Sequence, residues 1–181
     1  MKRFGWRHLF LTAGLLCVVS QDVSAAQCQA RDFSESMAVV TERLYQMAME
    51  GKVPAKTSVK PDDALAEQYL RSMQADGSWK DIDYAMTKRP WPTQKHADRF
   101  YQIAIAYQDD ESRFYHRPEV KEQLWKAADF LQRHYQPSTH WHSTEVTMPS
   151  SWLPGLLLMK TGDAHGFSRK DLLRFAELVP F

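Results

Sequence analysis

Residues 140–145 read His-Trp-His-Ser-Thr-Glu and set two imidazoles, an indole and a carboxylate within six positions. Neutral imidazole and carboxylate are ligand types that zinc and iron accept. The spacing is unspecific, because a metalloprotease helix places two histidines one turn apart with the glutamate between them, and here the order differs. A second cluster, Arg113-Phe114-Tyr115-His116-Arg117, brings together a phenol, an imidazole and two cations. Such groups supply base, acid and charge neutraliser for proton abstraction beside a carboxylate. Neighbours on a chain point apart, however, and a solvated link between helices is the plainer reading. The sequence has no nucleophile elbow, no phosphate-cradling glycine loop and no CxxC pair.

Tryptophan placement is more informative. Trp79, Trp91 and Trp141 fall in expected links between helices, whereas Trp125 and Trp152 fall on helices. An indole face presented from a link is a platform for the apolar face of a sugar ring; the alternative is that each one plugs the end of a helical pair.

The elements that must position these groups are helical. No alternating run of five or more residues reads as a strand, and glycines are few. A first helix is expected over about 34–50, with Met37, Val40, Leu44, Met47 and Ala48 on one face, Asp32 and Glu35 as a capping box and Gly51 as its stop. A second starts near Pro61 and runs to the Ala75–Trp79 stretch, where Gly77 supplies a left-handed stop. The two prolines around Trp91 make 81–92 a loop. A third helix spans 94–108 and buries Phe100, Ile103, Ala104 and Tyr107. A fourth, 118–135, buries Val120, Leu124, Ala127, Leu131 and Tyr135. A fifth covers 150–160 with Pro154 in its first turn, and a sixth covers 168–178 with Ser168 and Asp171 as a capping box. The expected class is all-α, built of antiparallel helical hairpins.

The 181 residues suit one main domain. Residues 1–25 read as an export signal: Lys2, Arg3 and Arg7 precede the apolar run Leu9–Val19, and Val23-Ser24-Ala25 resembles a peptidase site. The apolar run is short for a membrane span. Leu16 and Gln27, before the two cysteines, are bulkier than a lipoprotein signal favours. Residues 26–181 are then the mature domain, secreted or periplasmic, with Cys28 alone and no intrachain disulfide. Without Lys2, Arg3, Arg7 and Asp22, the 23 basic and 22 acidic residues become 20 and 21. That balance favours no nucleic-acid partner.

Four blocks together resemble a known family. They are LRSMQADGSWKDIDYA from Leu70, WPTQKHADRFYQIAIAYQDDESRFY from Trp91, VKEQLWKAADFLQRHY from Val120, and HWHSTEV followed by MPSSWLPGLLLMKTG from His140. Over about 65–161 and in this order, they are similar to the N-terminal helical region of polysaccharide lyase family eight, which includes chondroitin AC, hyaluronate and xanthan lyases. The resemblance implies part of an incomplete α/α toroid, bearing a cleft for an acidic polysaccharide such as chondroitin or hyaluronan. The family's block at HWHSTEV usually reads Asn-Trp-Trp-His-Asn-Glu-Ile, and its paired tryptophans stack substrate sugars. Trp141 matches one of them. His140 or His142 takes the other place, depending on where a one-residue insertion is set, and Glu145 matches the glutamate.

These four residues are the substrate-binding candidates that the resemblance implies. It assigns no catalytic residue, metal or cofactor to this chain, because the family's catalytic Asn, His, Tyr and Arg lie on later helices. The resemblance therefore implies a truncated N-terminal part of a lyase, inactive by itself and lacking a C-terminal portion, with an uncovered apolar face where the next hairpin would pack. Two other readings stand beside it: a stand-alone module binding anionic glycans, and a metal-dependent protein using His140, His142 and Glu145.

Overall fold

The computed structural model describes residues 34–50, 61–160 and 164–179. The expected export signal, the Asp32 cap and Gly51 lie outside them. Contacts divide the chain into two units, 1–42 and 43–181. Of the first, the described part is a helical stretch, 34–42, almost wholly exposed. The second holds the core.

Among the described residues the secondary structure is helical, with one isolated antiparallel bridge between Met73 and Trp79. Helix α1 spans 34–49. It is followed by α2 (Asp63–Ser72), α3 (Gln94–Gln108), α4 (Pro118–His134), a π turn (Ser143–Thr147) leading into α5 (Met148–Leu158), and α6 (Arg169–Ala176). The all-α class expected from the periodicity is the class observed.

Helix α3 is the centre. Ten of its residues are buried, among them His96, Phe100, Tyr101, Ile103, Ile105 and Tyr107, so it is enclosed on all sides rather than along one stripe. It packs against α2, α4 and most extensively α5, while α6 packs against α4 and α5. Gly155 permits the α3–α5 approach: a Cβ there would lie 2.7 Å from the Phe100 ring. Side chains tie the layers together. Trp152 Nε1 donates to the Phe175 carbonyl at 2.8 Å, and the Gln108 amide nitrogen donates to the Leu158 carbonyl at 2.7 Å. Tyr101 gives its hydroxyl proton to the Ala48 carbonyl, and burial pushes this phenol up to about 12.

Several expectations need correction. Within the second unit, Leu44 and Met47 of the expected α1 row are exposed and Ala48 is buried. Helix α2 begins at Asp63, because the Asp62 carboxylate accepts from the amides of Ala64 and Leu65 and caps it there. It stops at Ser72, short of Gly77, since Met73 turns extended to bridge Trp79. Tyr135 closes α4 as its C-terminal cap and is only partly buried.

The fifth helical segment starts at Trp141, well before Ser150. The Met148 amide reaches back to the Ser143 carbonyl, one residue further than in an α-helix. Pro149 accounts for the wide turn: its ring crowds the carbonyl four residues earlier and it donates no hydrogen bond. Pro154 consequently lies inside α5 rather than in its first turn. Helix α6 behaves as its sequence indicates, with Ser168 Oγ accepting from the Asp171 amide and donating to the Asp171 carboxylate.

Candidate functional site

The segment 138–147 is anchored from below by the loop after Trp79. The Thr87 carbonyl accepts from the Thr139 amide at 2.9 Å, the Ser138 hydroxyl at 3.1 Å and the Thr139 hydroxyl at 3.3 Å. Ser138 in turn accepts from the His140 amide, and the Thr144 hydroxyl donates to the Ser138 carbonyl. These bonds fix where the helix starts, and the start fixes which residues leave the surface.

Trp141 leaves it most. Its side chain is 62% exposed, far more than any other tryptophan described. The His140 ring lies nearly parallel to the indole, 15° between planes with centroids 6.4 Å apart, while His142 stands edge-on at 75° and 5.5 Å. Both histidine rings flank the indole, one nearly parallel to it and one edge-on. His142 turns inward to the Thr147 hydroxyl at 3.2 Å, and Glu145 is exposed.

His140 Nδ1, the Tyr135 hydroxyl and Trp91 Nε1 are buried without a partner. The Trp91 and Tyr135 rings meet edge to face at 5.9 Å. Burial pushes the Tyr135 phenol above its ordinary value, with the neighbouring Thr144 hydroxyl drawing it partly back, though the two are not in good hydrogen-bonding geometry.

The metal reading loses its geometry here. His140 and His142 stand 6.3 Å apart at 61°, and among the described residues no three His, Cys, Asp or Glu side chains are placed to share an ion. The cluster at 113–117 does not converge either. Arg113 pairs with Glu67 at 2.6 Å and lies 3.8 Å from Asp63; Arg117 lies 3.6 Å from Glu119. His116 is sandwiched between the rings of Tyr115 and His165, each 3.9 Å away, with Nε2 on the Gln108 side chain. Its base, acid and cations are committed to holding a turn in which His116 itself adopts a φ of 49°.

Trp79 and Trp91 are not platforms. They are 1% and 6% exposed; of the three, Trp141 alone is exposed, and it stands at the start of the fifth helical segment rather than in a link. The stretch around Trp79 is instead a structural staple. Asp76 accepts from the Ser78 amide and hydroxyl, which hold its carboxyl below the usual range. Gly77, at φ 91°, lies where a Cβ would be 2.3 Å from the Lys126 carbonyl. Trp79 Nε1 donates to the Tyr69 carbonyl, and Asp81 grips the Arg99 guanidinium with both oxygens. The most distinctive sequence block thus serves to join α2 to α3 and α4. His96, which the sequence did not single out, is the other half of this joint; only its place on the enclosed face of α3 marks it.

An all-α domain whose helices pack around one enclosed central helix, with one indole held clear of the surface, is the class of structure these observations define. It resembles the N-terminal toroid region of chondroitinase AC lyase. The chain superimposes on a solved structure of that lyase, from its enzyme–oligosaccharide complexes, with a TM-score of 0.64 and 24% identity, over 76% of this chain and 20% of that one. In sequence it is 32% identical over 110 residues to chondroitinase-AC of Pedobacter heparinus, covering 59% of this chain and 15% of that protein. The chain therefore matches only about a seventh of the curated relative's length. No family model matches the chain. The likeness to the polysaccharide lyase family eight helical region, read from four sequence blocks, is found again in both comparisons.

Proposed function

We propose that this chain is a helical portion of an exported polysaccharide lyase of the chondroitin AC kind, and that residues 138–147 form part of the wall that binds its acidic glycan. The observation that carries the reading is the exposed Trp141 indole with the parallel His140 ring beside it, at the position where the family presents paired tryptophans. His140 stacks nearly parallel to the indole and His142 stands edge-on to it, so in this reading both border the Trp141 platform. Glu145 borders the platform without adding to it.

The work of this portion is to bind and orient: an aromatic face stacks the apolar face of a pyranose, and the bonds of Ser138 and Thr139 to the Thr87 carbonyl hold the segment that carries it. In the elimination such lyases perform, a uronate carboxylate is neutralised, a base removes the C5 proton and an acid protonates the leaving oxygen. We place those groups on chain outside this sequence. The exposed Leu44 and Met47 of α1 support further helices packing there. The basic start and apolar run of residues 1–25 support export to the periplasm or beyond.

The test is to titrate the protein with a chondroitin hexasaccharide and follow tryptophan fluorescence, and to watch the ultraviolet absorbance of unsaturated uronate in the same samples. Binding that Trp141→Ala weakens, without absorbance growth, is the expected result. Growth of absorbance would overturn the placement of the chemistry, and affinity indifferent to Trp141 would overturn the site.

A further inference from the structure

A second tryptophan lines a groove on another part of the molecule. One face of α4, comprising Pro118, Lys121, Glu122, Trp125 and Lys126, forms one wall, and the chain entering α6, Gly166–Ser168 with Asp171, forms the other. The space between them is about 490 Å³, within the range of small-molecule sites, about 300–1,000 Å³. Trp125 is over a third exposed although it lies mid-helix. Its indole is nonetheless held: Phe175 meets it edge-on at 6.3 Å, and the Arg174 guanidinium lies 5.7 Å from its centroid. A flat aromatic surface fixed from one side and open on another is already organised for a ligand.

The polar groups around the indole say which ligand. Lys121 gives one of its three protons to the Ala164 carbonyl, Lys126 pairs with Glu122 at 2.7 Å, and the Ser168 hydroxyl meets Asp171 at 2.6 Å. The two ammonium groups and two carboxylates that line the groove sum to zero charge, and both donors and acceptors are present. An anionic sugar would face Glu122 and Asp171, and a cation would face the two lysines. A hydroxyl both donates and accepts, and satisfies either neighbour.

We propose that the groove between α4 and the start of α6 is a binding site for a neutral pyranose segment stacked on Trp125, separate from the Trp141 platform. It does not depend on the acidic-glycan reading, since its residues and its ligand class both differ. An accessory contact of this kind would hold the protein on an uncharged glycan while the other surface meets an acidic one.

The experiment titrates the ¹⁵N-labelled full chain with cellohexaose, maltohexaose and chondroitin hexasaccharide, following amide shifts. A neutral hexasaccharide is expected to move amides in 118–126 and 166–171. Trp125→Ala should weaken that binding about tenfold or more, equivalent to ~1.4 kcal/mol, Trp125→Phe should weaken it less, and Trp141→Ala should leave it unchanged. Failure of both neutral sugars to shift those amides in the wild-type chain overturns the proposal, whatever the variants do. So does a chondroitin hexasaccharide that moves them at lower concentration, or an affinity that Trp125→Ala leaves intact in a chain of unchanged far-ultraviolet circular dichroism. Loss of the chondroitin response alone bears on the Trp141 platform and not on this groove.

Discussion

The Tyr84 hydroxyl lies 2.9 Å from Nδ1 of the wholly buried His96, and this one contact fixes the protonation of both. His96 Nε2 lies 2.9 Å from the Ala127 carbonyl, which only accepts, so the ring proton is on Nε2 and Nδ1 accepts a hydrogen bond from the Tyr84 hydroxyl. Tyr84 then accepts from the Trp79 amide at 3.1 Å, and burial pushes its phenol up to about 12. The chain from Trp79 through Tyr84 and His96 to Ala127 joins the loop, α3 and α4 with every polar atom satisfied.

Acid should dismantle this joint. Burial lowers the His96 imidazole from 6.5 to about 3. Between those values the unfolded chain binds a proton that the folded chain refuses, so stability rises with pH and is fully present above about 6.5. Lowering the pH through that window should remove about 1.4 kcal/mol per unit from this group. Urea midpoints measured across the window should fall accordingly, and His96→Leu, which removes the acceptor of the Tyr84 hydroxyl proton and a donor to the Ala127 carbonyl, should start about 2 kcal/mol lower with a flatter slope. An unchanged slope in the variant would assign the acid sensitivity elsewhere.

Gly77→Ala should be among the costliest methyl additions in the chain. The new Cβ would meet the backbone carbon and oxygen of Lys126 at 2.3 Å, and φ of 91° strains any residue with a side chain. Backbone cannot yield as a flexible side chain does. A loss of about 3 kcal/mol is expected in equilibrium unfolding, from overpacking and strain together.

Arg99→Lys should cost about 1 kcal/mol despite the retained charge. The guanidinium holds both Asp81 oxygens at 2.7 and 2.6 Å and lies 5.1 and 5.4 Å from the Tyr69 and Trp79 ring centres. An ammonium offers neither the planar fork nor the flat face. Because Asp81 is more than half exposed, salt near 1 M should narrow the gap between the proteins by screening the ion pair, with the stacking share persisting. Thermal melts at low and high salt read the two shares.

Trp141 and Trp152 should respond in opposite ways to the same substitution. Trp152 is fully buried with its Nε1 bonded to Phe175, so Trp152→Ala should cost about 3–5 kcal/mol of stability. Trp141→Ala should change stability by less than about 0.5 kcal/mol. It should weaken chondroitin hexasaccharide binding by about 1 kcal/mol or more, since one aromatic face is lost. Unfolding curves and fluorescence titrations on both variants separate structure from binding.

The helices were legible in the sequence where a local rule decided them. The periodic run of α3 gives the observed bounds, 94–108, and α4 starts at its proline and α6 after its serine cap as expected. Bounds failed where a distant partner decided. Met73 leaves α2 to bridge Trp79, and Pro149 with the anchored residues 138–140 moves the fifth segment's start back to Trp141. The four-block resemblance placed Trp141 among the binding candidates, but that it alone of Trp79, Trp91 and Trp141 is exposed needed the packing.

By itself the amino-acid sequence determined an all-α chain and a likeness to one family of lyases, because helix period, capping and motif order are properties of residues near one another. Tertiary structure alone decided which tryptophans are buried. Trp79, Trp91 and Trp141 all follow helix ends in sequence, and their fates part only when α3 and α4 close over the first two, and the Thr87 carbonyl holds the third out. Burial is a property of what packs against a residue, and no residue carries that information in its own neighbourhood.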